Sequence, residues 1–261
     1  MTEKSIFDLS GKVALVTGGG SGIGRAYCEA MAEFGADVAC SDIEEQKAQE
    51  TVKLISKFGH RAIAIKADAS RQDEIKSMVN RTVEELGTID IVFANAGIGD
   101  ESMVKIHEKP VEDWDRVMAL QPRGTFLLMR AVFPIMMKKK SGSFINTASI
   151  GGLTATSASG PFQLITAYNS AKAAVIMLTK MAAKQYGEYG IRVNAICPGL
   201  HRTDLAPEEV RPMLEEIIVP LTPLKRVGLP EELKGLAVWL ASDASSFVSG
   251  QTFVQDGGMI A

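Results

Sequence analysis

Short runs of β-branched and other apolar residues alternate along this chain with longer segments whose apolar positions recur every three or four residues. That alternation admits few architectures: it marks βαβ units, and so an α/β fold around a parallel sheet. "VALVT" (13–17) precedes Ile23, Ala26, Tyr27, Ala30, Met31 and Phe34, which are spaced for one helix face. "DVACSD" (37–42) is followed by Ala48, Val52 and Ile55, and "AIAIKAD" (62–68) by Ile75, Met78, Val79, Val83 and Leu86. Further strands are predicted at "IDIVFANAG" (89–97), "GSFINTAS" (142–149), "IRVNAICPG" (191–199) and "QTFVQDGG" (251–258). No repeat, low-complexity tract or linker divides the 261 residues, so a single domain over 1–261 is expected. The Pro- and Glu-rich stretch 200–230 reads as an irregular insertion, or lid, over the sheet edge. In open parallel sheets ligands bind beyond the C-terminal strand ends, so the loops after strands carry the chemistry.

Composition closes off other classes. The net charge of -3 shows no basic excess, and Lys138-Lys139-Lys140 reads as a solvated helix end, so no nucleic-acid partner is expected. Cys28, Cys40 and Cys197 form no CxxC pair and no even disulfide framework, which suits a reducing compartment. The start, "MTEKSIFDLSGK", has charges where a signal peptide needs an apolar run, and no stretch of 18 apolar residues occurs. A soluble cytoplasmic protein with no membrane partner is expected. His60 and His107 lack an HExxH partner, no metal-ligand spacing is present, and no G-x-S-x-G nucleophile elbow occurs, so no metal is expected.

"TGGGSGIG" (17–24) lies between the first strand and the first helix. Glycines there let the backbone turn tightly and approach a pyrophosphate, whose charge the helix N-terminus favours. The spacing Gly18, Gly22, Gly24 is not the general G-x-G-x-x-G, and Arg25 and Ala26 stand where a P-loop needs Lys and Ser/Thr. Asp42 ends the second strand 18 residues after Gly24. A carboxylate there accepts hydrogen bonds from adenosine ribose hydroxyls and repels a 2′-phosphate, and no Arg or Lys lies between Arg25 and Lys47 to welcome one. NAD is preferred over NADP on this ground.

In "TAYNSAKAAV" (166–175) Tyr168 and Lys172 stand four residues apart and so share a helix face. Bringing a phenol with a pKa of about 10 to neutrality takes about 3–4 kcal/mol of preferential phenolate stabilisation, much of which a nearby ammonium can supply. Such a phenol becomes a competent general acid/base. Taken alone, the pair is equally consistent with a packed phenol beside a snorkelling lysine.

The ordered set "TGGGSGIG", "NAG" (95–97), a serine ending the fifth strand, "YNSAK", "PG" (198–199) and "GQTFVQDGG" resembles the short-chain dehydrogenase/reductase family from about residue 8 to 261. The resemblance implies a Rossmann-like, doubly wound parallel sheet with helices on both faces, and hydride transfer between a nicotinamide and a carbon bearing oxygen. It implies that Tyr168 exchanges the proton at the substrate oxygen, that Lys172 binds the nicotinamide ribose and lowers the phenol pKa, and that Ser149 polarises the carbonyl. Gly18, Ser21, Gly22, Ile23 and Gly24 would hold the pyrophosphate, Asp42 the ribose, and Asp68 the adenine side. Asn95, Ala96 and Gly97 would line the cleft, with Pro198, Gly199, His201 and Thr203 near the carboxamide. A homo-oligomer, tetramer or dimer, is also implied, with 231–261 supplying one interface.

Three departures from the family pattern stand out. "MALQPRGTF" places Gln121, followed by Pro122, where the family has an asparagine serving the proton relay, and the proline ring is expected to reshape that helix. Ser149 and Tyr168 are 19 positions apart, longer than the family's common interval. The extra residues, within 151–165, are expected to bulge beside the substrate with Phe162 and Gln163 as contacts; Ser157 and Ser159 compete with Ser149 by spacing, but a serine fixed at a strand end is better preorganised. His201 replaces a usual aliphatic residue and reads as a partly exposed loop histidine, or as one touching the cofactor through its backbone.

The expected activity is NAD-dependent interconversion of a secondary alcohol and a ketone, and "FQLITAYN" with "YNSAK" resembles the sugar and polyol dehydrogenases of the family. A 3-oxoacyl reductase is the rival enzyme, disfavoured by Asp42; the enoyl reductase branch separates tyrosine and lysine more widely. A cofactor-binding scaffold without turnover is the rival class, favoured only by Gln121.

Overall fold

The structure is a computed structural model that describes residues 5–155, 164–203 and 208–261. Ser157, Ser159, Phe162 and Gln163 lie outside the described residues. Seven strands form one sheet in the order β3-β2-β1-β4-β5-β6-β7. They are β1 (Val13–Thr17), β2 (Asp37–Asp42), β3 (Ala62–Lys66), β4 (Ile91–Ala94), β5 (Gly142–Thr147), β6 (Ile191–Pro198) and β7 (Thr252–Gln255), and every pairing is parallel. The helices are α1 (Gly22–Glu33), α2 (Glu45–Ile55), α3 (Gln72–Leu86), α4 (Val111–Met118), α5 (Gly124–Lys139), α6 (Thr166–Tyr186), α7 (Arg211–Leu221) and α8 (Lys234–Ala241).

Successive strand side chains point to opposite faces, and here both faces are covered. Ala14, Val16, Val38, Cys40, Ile91 and Phe93 pack on one side against Tyr27, Ala30 and Met31 of α1, Ala48 and Ile55 of α2, and Ala237 and Val238 of α8. Val13, Leu15, Ala39, Ile65, Val92 and Phe144 pack on the other against Ile75 and Met78 of α3 and Leu128, Val132 and Met136 of α5. This double burial explains why β1 and β2 read as nearly continuous apolar runs, and it makes the fold the expected doubly wound α/β sheet.

The chain works outward from β1 to β3 and then returns to β4 on the other side of β1. A crevice opens where strand order reverses. Two expectations need correction. The extended segments after β3, β4, β5 and β7 stop pairing earlier than predicted, leaving residues 67–68, 95–97, 148–149 and 256–258 as loops at the strand ends. The stretch 200–230 is not wholly irregular, because it contains α7. Pro212 sits in the first turn of that helix, where the missing N–H would have had no partner, and Pro220 falls near its end.

Candidate active site

The crevice begins at the turn after β1. Gly18 and Gly22 have φ of +63° and +50°, a left-handed conformation that a side chain disfavours. Gly24 is excluded from carrying one by contact, since a Cβ there would lie 1.9 Å from the Gly18 carbonyl oxygen. The loop carbonyls are held from behind: Thr51 donates to Gly19 O at 3.0 Å, and Arg25 donates to Gly20 O and, at 3.1 Å, to Thr51 Oγ1. Ser21 is the N-cap of α1 and makes no side-chain cap bond, so the first N–H groups of the helix are not satisfied by their own cap.

Asp42, at the end of β2, accepts from the Gly20 N–H at 2.9 Å and from the Glu44 N–H at 3.0 Å, which fixes its carboxylate beside the glycine turn. Across the switch point, Asn95 donates its side-chain amide to the Thr17 and Gly18 carbonyls at 3.1 and 3.3 Å. Thr17 Oγ1 accepts from the Asn95 and Ala96 N–H groups at 3.0 and 3.2 Å. Asp68 begins the next loop, where its carboxylate accepts from the Ser70 N–H and hydroxyl. Thr203 reaches over the same turn, so that a Cβ on Gly22 would lie 3.2 Å from Thr203 Cβ.

The fifth and sixth strand ends and α6 supply the other wall. Ser149 is buried and accepts from the Gly151 N–H at 3.1 Å. Tyr168 stands in the first turn of α6, with its phenol beside the Ser149 side chain. Lys172, one turn on and 4% exposed, donates to the Thr147 carbonyl at 2.7 Å and places Nζ 5.4 Å from the Tyr168 ring centroid. Burial pushes the Lys172 ammonium down to about 8. Burial also raises the Tyr168 phenol, against the opposing hydrogen bond from Ser149. The ammonium expected to supply much of the phenolate stabilisation does not bring the phenol below its ordinary value in the free chain, where loss of hydration dominates. Cys197 lies in the same electrostatic neighbourhood, but burial pushes its thiol up to about 11 and keeps it from acting as a thiolate.

Gln121 is 2% exposed and sits in a five-residue π-helical turn, Ala119–Arg123, between α4 and α5. Pro122 lacks an N–H and crowds the preceding turn, so the expected reshaping is present as a widened coil. Gln121 donates to the Ile98 carbonyl at 2.8 Å while its Oε1 is buried without a protein partner. A Cβ on Gly97 would meet both Lys172 Nζ, at 3.5 Å, and Gln121 Oε1, at 3.6 Å, so the two groups border one space.

His201 departs from the sequence expectation of partial exposure. It is buried, with Nδ1 3.0 Å from the Gly199 carbonyl and its ring over Gly228, where a Cβ would lie 2.5 Å from Nε2. Burial lowers its pKa, and main-chain bonds from Arg202 N–H to the Gly228 carbonyl and from Gly228 N–H to the Leu200 carbonyl pair the two segments. Gly199 itself abuts Asp256, leaving 2.8 Å for a Cβ.

The structure therefore brings Ser149, Tyr168, Lys172 and Gln121 to one wall and Gly18, Gly22, Gly24, Asp42 and Asn95 to the other. Sequence reasoning missed Thr17, Thr51 and Thr147, because each acts through a partner distant in sequence. Only Thr17, which opens the glycine motif, carried a signal. Among the described residues no cluster of His, Cys, Asp and Glu has metal-binding geometry, and no helix is long and apolar enough to cross a membrane.

A main-chain cradle at a helix N-terminus, a carboxylate at the second strand end and a buried Ser/Tyr/Lys cluster define a dinucleotide-binding oxidoreductase. The glycine cradle fits such a cofactor because a side chain at Gly18, Gly22 or Gly24 would be strained or fill it. The family model described as "Enoyl-(Acyl carrier protein) reductase" matches residues 18–260, and the chain belongs to the short-chain dehydrogenase/reductase family. It is 37% identical to a 2,5-dichloro-2,5-cyclohexadiene-1,4-diol dehydrogenase of Sphingobium indicum, over 97% of this chain and 99% of that protein. A crystal structure of a short-chain type dehydrogenase/reductase from Mycobacterium marinum superposes with a TM-score of 0.91 at 37% identity, covering 98% of each chain. The NADPH-dependent 3-quinuclidinone reductase of Rhodotorula rubra superposes with a TM-score of 0.88 at 31% identity, covering 100% of this chain and 96% of that one.

Proposed function

We propose that the protein interconverts a secondary alcohol and a ketone with NAD(H), and that its substrate is a small cyclic or polyhydroxylated alcohol. The observation that carries this reading is the gathering of Ser149, the Tyr168 phenol and the Lys172 ammonium, 5.4 Å from the Tyr168 ring centroid, at the end of β5 and the start of α6. Gly18, Ser21, Gly22, Ile23 and Gly24 would hold the pyrophosphate, Asp42 the adenosine ribose, Asp68 the adenine, and Asn95, Ala96, Gly97, Pro198, Gly199, His201 and Thr203 the nicotinamide side. When bound, the nicotinamide supplies the hydride chemistry.

The chain's own part is orientation and proton handling. Ser149 donates to the substrate oxygen and fixes its distance from Tyr168. Tyr168 Oη takes the hydroxyl proton during oxidation and returns it to the carbonyl oxygen during reduction. Lys172, anchored on Thr147, stabilises the phenolate as it forms, and its lowered pKa lets it pass a proton onward near neutral pH. The unpartnered Gln121 Oε1 is an acceptor for that outward relay. The segment that includes α7 acts as the lid.

The Asp42 carboxylate, held in place by the Gly20 N–H, supports NAD over NADP even though a solved relative uses NADPH. The cyclic diol substrate of the Sphingobium relative supports the substrate class. The one-turn spacing of Tyr168 and Lys172 favours alcohol–ketone chemistry over the enoyl reduction in the family model's description. Exposed Met177 and Met181, one turn apart on α6, fit the homo-oligomer expected from the resemblance, which light scattering would measure.

The test is a panel of secondary alcohols, cyclic diols and polyols read by NADH absorbance, with NADP run in parallel. Turnover with NAD is expected, falling about 1,000-fold in Tyr168→Phe with NAD binding retained. NAD binding with no turnover on any alcohol or ketone would favour a scaffold. Unchanged turnover by Tyr168→Phe would remove the acid/base assignment.

A further inference from the structure

We infer that Asp100 is a positioning residue for Tyr168: a buried carboxylate from the β4–α4 connection that caps helix α6 across the fold. The inference rests on the reading of Tyr168 as the proton-exchanging group.

Helix α6 starts without help from its own sequence. Its N-cap is Ile165, no side-chain cap bond forms, and its first turn carries no acidic residue. The N–H groups of that turn need partners, ordinarily from a Ser, Thr, Asp or Asn adjacent in sequence. They find one 67 and 68 positions away: the Asp100 carboxylate accepts from the Ala167 N–H at 3.1 Å and from the Tyr168 N–H at 2.8 Å. The second of these donors is the main chain of the very residue whose phenol faces Ser149.

A carboxylate that is 0% exposed is costly unless paired and hydrogen-bonded. Lys109, 4% exposed, meets it at 2.6 Å, and reaches Asp113 at 3.1 Å and the Ser102 carbonyl as well. Asp113 accepts from the Glu101 N–H at 3.0 Å and from the Ser102 N–H and hydroxyl at 3.0 and 2.8 Å, and Arg116 spans Asp113 and the Gly99 carbonyl. With Gln121 on the Ile98 carbonyl, every residue from Ile98 to Ser102 is fastened by a buried or half-buried polar side chain. A helix cap by itself needs none of this. The network makes the strap rigid, and the strap joins the Asn95–Gly97 turn on the cofactor side to the first turn of α6 on the proton side. A misplacement of about 1 Å at a reacting group can cost about 100-fold in rate, which is the scale such a strap protects.

The test compares Asp100→Asn with wild type, each also carrying Tyr168→Phe. Asp100→Asn keeps the shape but turns an amide donor toward donors. Its kcat is expected to fall at least about thirtyfold while KM for NAD stays within about threefold, and to cost less than about threefold more on the residual rate of Tyr168→Phe. A kcat within threefold of wild type, a loss carried by KM for NAD, or an equal loss in both backgrounds would overturn the inference. Should Asp100→Asn not fold, Asp100→Asn with Lys109→Met removes both charges together and is expected to show the same loss in kcat, and full activity in that pair would also overturn it. Wild-type turnover by Tyr168→Phe would instead defeat the underlying acid/base reading, so the two failures are told apart.

Discussion

At the β1 end of the crevice the surface turned to the ligand is main chain, braced from behind by side chains such as Thr51 and Asn95, whereas at the β5 end the reacting groups are themselves side chains. The cradle needs glycines because its own carbonyls and turns occupy the space a Cβ would take, as Gly24 against Gly18 shows. The opposite wall draws Ser149, Tyr168, Lys172 and Gln121 from three separate places in the chain and fixes each by a hydrogen bond to another element or to its own loop. The contrast teaches which changes each region tolerates. A main-chain cradle resists changes of charge and fails on added volume; a side-chain cluster resists small changes of volume and fails when a donor or ion is removed.

That contrast is broken most directly at Lys172. In Lys172→Met we expect kcat to fall about 1,000-fold and NAD affinity about tenfold, since the ammonium is also the expected partner of the nicotinamide ribose, measured by stopped-flow and titration. The same variant should be the more stable one. In the folded chain the Lys172 pKa is depressed from 10.5 to about 8, so between those values the unfolded chain binds the extra proton and stability rises with pH. The penalty, about 3 kcal/mol, is present in full below pH 8 and gone above about 10.5, so the denaturation advantage of Lys172→Met should shrink across that window. An advantage that does not vary with pH would refute the burial argument.

Gly24→Ala tests the other wall. NAD affinity should drop about 100-fold by calorimetry, because the added methyl forces the glycine turn open. Proton transfer at saturating NAD should change little. Asp42→Ala adds no volume to the cradle, though it removes the acceptor of the Gly20 N–H, and should shift the NAD/NADP preference by about thirtyfold toward NADP in kcat/KM, since the ribose-facing carboxylate is lost. An unchanged ratio would place the discrimination elsewhere. The smallest effect is expected for Gln121→Asn: activity within about tenfold, or about 1.4 kcal/mol, because the amide acceptor survives in shortened form. A loss of several hundredfold would show that the reach of Oε1 sets the rate.

The two walls also differed in how far they could be read from sequence. The glycine turn, Asp42 and the Tyr168–Lys172 pair follow from rules of short range: a strand-to-helix turn, a strand end, a helical repeat of four. β1 and β2 were readable to the residue because both faces are buried. Asp100 was not, since its partners on α6 lie 67 and 68 positions onward and no local pattern marks a carboxylate that caps another element. The direction of the Tyr168 pKa was likewise hidden, because spacing shows which charge is near and not how much water has been lost. Helix α7 was obscured by prolines that its ends accommodate.

The widened coil at Ala119–Arg123 acts as a phase shifter in an otherwise continuous helical run from Val111 to Lys139. One surplus residue rotates everything downstream by about 100°. That rotation lets Val117 look toward Ala167 and Ala171 of the neighbouring helix while Leu128, Val132 and Met136 look into the sheet. Deleting a single residue there would be felt a full three turns away, as an apolar stripe swung out into solvent.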